Sequence, residues 1–153
     1  MVFKVFWRRS SSAFQALGAL MCVSSMAACS SAGQASPPLS FAAQADMEEK
    51  GDAGVLEVQV RASPDPPWQG TIAVELTVMA AADGIPQDGL SIAMVPWMPA
   101  HGHGTSLTPV VTPEGNGKYL VTQVDLFMAG YWELQTTLSG PLSDYVAPGY
   151  NIP

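Results

Sequence analysis

Two stretches of apolar/polar alternation constrain this chain more than any other feature. In Val55 to Ala62, Leu56, Val58 and Val60 fall on one face and Glu57, Gln59 and Arg61 on the other; Thr71 to Met79 repeats the pattern with Ile72, Val74, Leu76 and Val78 inward. Side chains of an extended strand alternate with period two, so each segment buries one face and wets the other. Shorter strands are expected from Leu90 to Val95, Ser106 to Thr112, Tyr119 to Leu126 and Tyr131 to Leu138, the last with Trp132, Leu134, Thr136 and Leu138 on one face. Pro64-Asp65-Pro66-Pro67, Asp83-Gly84, Asp88-Gly89 and Gly115-Asn116-Gly117 supply breaks and turns. Pro109 has no N–H to give to a ladder, which moves its segment to a sheet edge. No amphipathic helix accompanies these strands, and the pattern predicts an all-β, antiparallel β-sandwich over residues 54–139. Leu56, Val58, Val74, Leu76, Val121, Trp132 and Leu134 are its expected core. Roughly 90–100 residues suffice for one such core and not for two. The proline-rich stretch 140–153 reads as an irregular tail.

The start of the chain has a different character. Lys4, Arg8 and Arg9 precede an apolar, small-residue run from Ala13 to Ala28 that ends in Met26-Ala27-Ala28-Cys29. A basic start followed by a short apolar core is the pattern of an export signal, too short for a stable span. It resembles a bacterial lipoprotein signal, with Met26 where Leu is commoner. The resemblance implies that residues 1–28 are a cleaved signal peptide and that Cys29 carries the lipid. The alternative is an uncleaved single-pass anchor. Cleavage removes Cys22 and lipidation occupies Cys29, so the mature chain has no disulfide and depends on core packing. Ser30, rather than Asp, after the lipidated cysteine resembles lipoproteins sorted to the outer membrane, and the expected location is its periplasmic face in the bacterial envelope. Residues 29–53, rich in Ser, Ala, Gln and Pro, read as a flexible tether, with at most a brief helical turn at Met47 to Asp52.

After Cys29, three basic residues (Lys50, Arg61, Lys118) stand against 13 acidic ones, a formal charge of −10. Such a surface repels phosphate backbones, which argues against nucleic acid as a partner, and it keeps an exported domain soluble.

Trp97-Met98-Pro99-Ala100-His101-Gly102-His103-Gly104 gathers both histidines of the chain, a thioether and two glycines into eight residues. On an extended backbone, residues two apart project to one side, which lets His101 and His103 offer two imidazoles to one ion, with Met98 as a soft further ligand. Imidazole plus thioether favours copper over hard cations. The plainer reading is a Gly/Pro-rich loop in which His is an ordinary turn residue.

The segment Met94 to Leu138 resembles the YtkA-like domain family, whose relatives include FixH-type membrane proteins. The ordered motifs are Met98-Pro99, His103-Gly104, Gly117-Lys118-Tyr119 and Phe127-Met128-Ala129-Gly130-Tyr131-Trp132. The resemblance implies a small immunoglobulin-like sandwich, exported and often lipid-anchored or encoded beside copper functions. Family patterns often carry a second Met shortly after Met-Pro. This chain has Ala100 there and His101 next to it, a change toward Cu(II) or Zn(II). Met128 is a candidate ligand from a neighbouring strand, because Gly130 permits close backbone approach; equally, Met fills irregular core gaps. Trp132 is expected in the core, Trp97 either shields a metal or plugs the end of the sandwich, and Trp68 anchors a surface loop.

No catalytic arrangement is legible: Gly-x-Ser-x-Gly, a phosphate-binding glycine loop and a thiol nucleophile are all missing, and the chain is not expected to be an enzyme. Two functions remain. One is a lipid-anchored extracytoplasmic domain that binds or transfers copper through the His101/His103 loop. The other is a metal-free adaptor or structural envelope lipoprotein using the same loop for contact with an envelope protein.

Overall fold

The computed structural model describes residues 38–153; the expected signal peptide, Cys29 and the first part of the expected tether lie outside the described residues. Among the described residues the strands are β1 (Met47–Lys50), β2 (Leu56–Ser63), β3 (Gly70–Ala80), β4 (Ser91–Met98), β5 (His103–Gly104), β6 (Val110–Gly115), β7 (Lys118–Leu126), β8 (Gly130–Ser139), β9 (Asp144–Val146) and β10 (Gly149–Ile152). They form two antiparallel sheets, one in the order β1-β2-β3-β7-β6 and one in the order β10-β8-β4-β5, with β9 also paired to β8. The fold is therefore the all-β sandwich that the alternation predicts, with β6 on an edge.

Each sheet turns its apolar side chains inward. Leu56, Val58, Val60, Val74, Leu76 and Val78 are fully buried on the first sheet, and Trp132, Leu134 and Leu138 on the second, within one continuous core. Strand β7 does not alternate cleanly. Its register against β3 jumps from Val124 opposite Ile72 to Val121 opposite Val74, and Gln123 takes up the extra residue in a left-handed conformation with φ 60°. This bulge resets the pleat, so Tyr119 and Val121 before it and Val124 and Leu126 after it all point inward. Without it, the polar Gln123 and Asp125 would face the core.

Tyr119 is 1% exposed, and its hydroxyl donates to Gln87 O (2.8 Å) and accepts from Leu90 N (3.0 Å). One side chain thereby holds the crossing from β3 to β4. Beside it, the carboxylate of Asp88 accepts from Asn116 N and Gly117 N at 3.2 and 2.8 Å. Gly117 has φ 72°, and a Cβ there would lie 2.6 Å from Val78 O, so the β6–β7 turn requires glycine.

Two sequence expectations are corrected. Met47 to Lys50 is not a helical turn but strand β1, paired with Glu57 to Val60 of β2, and thus part of the sandwich rather than of a tether. Residues 140–153 are not irregular: β9 and β10 run one after the other along the free edge of β8, and Val146, Tyr150 and Ile152 enter the core. Pro148 separates them, yet its carbonyl still accepts from Leu134 N at 2.8 Å. The tail also stitches the two sheets together: the Tyr150 hydroxyl donates to Asp46 (2.8 Å), Ala147 N donates to Glu49 (3.2 Å), and Asp52 N donates to Tyr145 O (2.9 Å).

Candidate functional site

The candidate site is the hairpin between β4 and β5. Pro99 to Gly102 turn the chain, His101 N and Gly102 N donate to Met98 O (3.1 and 2.9 Å), and Gly102 supplies a φ of 66°. The extended backbone expected for His101 is thus corrected: His101 lies in the turn and only His103 is in a strand, because a two-residue β5 can pair with β4 only after a reversal. The two imidazoles nevertheless meet, with ring centroids 5.6 Å apart and planes inclined at 70°.

Register fixes the next neighbour. Met98 is paired directly with His103, and such pairs project to the same side of a sheet. Met98 is 1% exposed and belongs to the core, so it forms a buried floor beneath the hairpin. Gly130, φ 128°, leaves room for it: a Cβ there would lie 2.9 Å from Met98 Cε.

The His103 ring is walled by aromatics. It stacks on Phe127 (5.7 Å, 21°) and meets Trp132 edge-on (6.2 Å, 72°), and Phe127 meets Trp132 at 5.5 Å. These separations lie in the range where aromatic rings attract through edge and offset contacts. The Trp132 indole N–H donates to Met128 O at 2.9 Å, which holds the turn from β7 to β8 against the ring. Met128 is half-buried and packs on the core. His103 Nδ1 lies 3.0 Å from Gly104 O; a ring that donates there leaves Nε2 as its free lone pair. Thr105, just after β5, donates to Asp125 of β7 in a long contact of 3.5 Å.

The hairpin therefore brings together His101, His103 and Met98, with Met128 close by through Trp132, whereas Cys29 lies outside the described residues. The alternation placed Trp132 inward, but nothing in it showed that Trp132 and Phe127 would enclose His103. The spacing Phe-Met-x-Gly-x-Trp across a tight turn was the only trace of that arrangement.

The 5.6 Å between the two ring centroids falls within the span that one ion can bridge. With metal–nitrogen bonds of about 2.0–2.1 Å, two imidazoles on one ion hold their ring centres no more than roughly 6.5 Å apart. Among the described residues no group of three or more His, Cys, Asp or Glu side chains converges, so an ion at the hairpin would have only imidazoles, thioether sulfur and solvent to draw on.

In comparison with known proteins, a family model described as YtkA-like matches residues 50–137. No curated protein and no solved structure matches the chain.

Proposed function

The chain belongs to the YtkA-like family, and from that premise we propose that it is a lipid-anchored, extracytoplasmic copper-binding protein rather than an enzyme, with His101 and His103 as its ligands. The observation that carries this reading is the approach of the two imidazoles to 5.6 Å over the buried thioether of Met98. Two nitrogens and a sulfur suit copper in either oxidation state: imidazole serves Cu(II), and thioether is the softer partner for Cu(I). The exposed turn at His101 leaves one side of an ion open to exchange, which suits transfer to a partner. Copper supplies no step of a reaction; the chain binds and presents it.

Calorimetric titration of the protein is expected to give one copper per chain, lost in His101→Ala/His103→Ala and unaffected by replacing the remote acid Glu57. Met98→Leu preserves volume and is expected to weaken Cu(I) while leaving Cu(II) binding within about twofold. Wild-type copper affinity in the double variant would overturn the proposal.

The second reading, a metal-free adaptor, draws on the outer face of the second sheet, where Val95 (50% exposed) and Tyr131 (43% exposed) flank the half-buried Trp97 beside the hairpin. An apolar surface of this kind suits a protein contact. It becomes the better account if copper binding fails.

Membrane attachment rests on Cys29 and the apolar run before it. Labelled fatty acid is expected to enter the protein in bacterial cells and to be absent from Cys29→Ser; equal labelling of that variant excludes the site.

A further inference from the structure

A cleft of about 790 Å³ opens between residues 38–42, the Pro64–Trp68 loop and the bulged part of β7. We propose that it binds an organic ammonium cation, with Trp68 facing the cation and Asp65 neutralising it.

The floor is apolar, formed by Ile72 and Ala73, which are 4% and 3% exposed. One wall is Trp68, 61% exposed, on a loop stiffened by Pro64, Pro66 and Pro67. Because proline restricts the unfolded and folded loop alike, holding the indole open at this edge costs little further entropy on binding. The loop is also tied down beyond the indole, where the Gln69 side chain donates to Phe127 O at 2.7 Å.

Charge selects among ligands that fit an apolar cleft. Among the described residues Asp65 is the one charged residue lining it, and no basic residue does so. Two of the three cations after Cys29 are already committed: Arg61 and Lys118 both pair with Glu75, at 2.9 and 3.3 Å. An anion therefore meets only repulsion at the cleft. A neutral apolar molecule gains burial alone. A cation with alkyl substituents gains burial against the accessible side chains of Leu39 and Phe41, attraction to the negative face of the indole and the Asp65 charge together. That combination distinguishes it from a purely apolar occupant of the same shape.

The probes are choline and its uncharged isostere 3,3-dimethylbutan-1-ol, followed by two-dimensional amide NMR of the full-length chain. Choline is expected to shift the Trp68 indole N–H and the amides of Thr122 and Gln123 in a saturable way, and to bind several-fold to about thirtyfold more tightly than the alcohol. Trp68→Ala should abolish the response, and Asp65→Asn should weaken it several-fold, while the spectra elsewhere keep the wild-type dispersion that reports a folded sandwich. Equal binding of the two probes would show an apolar cleft without cation preference and would overturn the proposal. So would a choline response that survives Trp68→Ala, or the lack of any response in the wild type at millimolar choline. Each result is independent of copper, since neither Trp68 nor Asp65 belongs to the hairpin.

Discussion

Trp132→Ala is expected to destabilise the protein by about 3–5 kcal/mol, the range for deleting a large buried aromatic and leaving a cavity. Trp132 is the largest fully buried side chain among the described residues, with 0% exposure, near the start of β8. A domain of this size has roughly 5–15 kcal/mol in total, so the loss is a large share of it. Thermal unfolding should fall by more than about 10 °C. Trp97→Ala, at a half-buried position, should cost less than half as much. The same ring also serves the site: its N–H holds Met128 O and its edge meets His103. Trp132→Phe keeps most of the apolar volume and drops the hydrogen bond, at about 1–2 kcal/mol, and should loosen the wall behind His103 before it unfolds the sandwich. A Trp132→Ala protein that melts like the wild type would refute this placement.

Asp144→Asn is expected to cost about 2–4 kcal/mol at neutral pH, since it turns an acceptor of four N–H groups into a side chain with donors of its own. The carboxylate accepts from Ala53 N (2.8 Å), Val55 N (3.0 Å), Leu56 N (3.0 Å) and its neighbour Tyr145 N (2.9 Å), clamping the β1–β2 turn to β9. Burial alone pushes its pKa up, but the hydrogen bonds from Leu56, Ala53, Tyr145 and Val55 outweigh it and hold the group below its ordinary 3.8. The folded pKa thus lies below the unfolded one. The stabilisation is present in full above the unfolded value and is lost as pH falls from there through the folded value. Denaturant midpoints should therefore separate wild type from Asp144→Asn widely at pH 7 and converge in strong acid. A gap that stays constant with pH would show that the charge of Asp144 does not carry the clamp.

The alternating segments were legible because each is long enough to show its period: β2 and β3 lie within a residue of where Val55 to Ala62 and Thr71 to Met79 put them. The last two strands were not. With three and four residues on either side of Pro148, they are too short to display a period, and they become strands because β8 offers them a free edge. The same holds for β1, whose Met-Glu-Glu-Lys favours a helix locally and yields to the open ladder of β2. The bulge at Gln123 left only an indirect trace, an alternation that changes phase between Val121 and Val124.

At the hairpin, residue chemistry was readable and geometry was not. The clustering of His101, His103 and Met98 in eight residues pointed to soft-metal ligands, and the ordered motifs pointed to the YtkA-like family, to which the match over residues 50–137 assigns the chain. By itself the sequence determined the sandwich class, most of the core and the residues worth testing, because period-two burial and ligand type are local properties. Only the tertiary structure decided that a turn rather than an extended strand brings the imidazoles together, that Phe127 and Trp132 enclose His103, and that the C-terminal residues seal the sheets. Those outcomes depend on which strand edges and inward faces meet, and pairing between distant segments is set by the packing of the whole core rather than by any one stretch of chain.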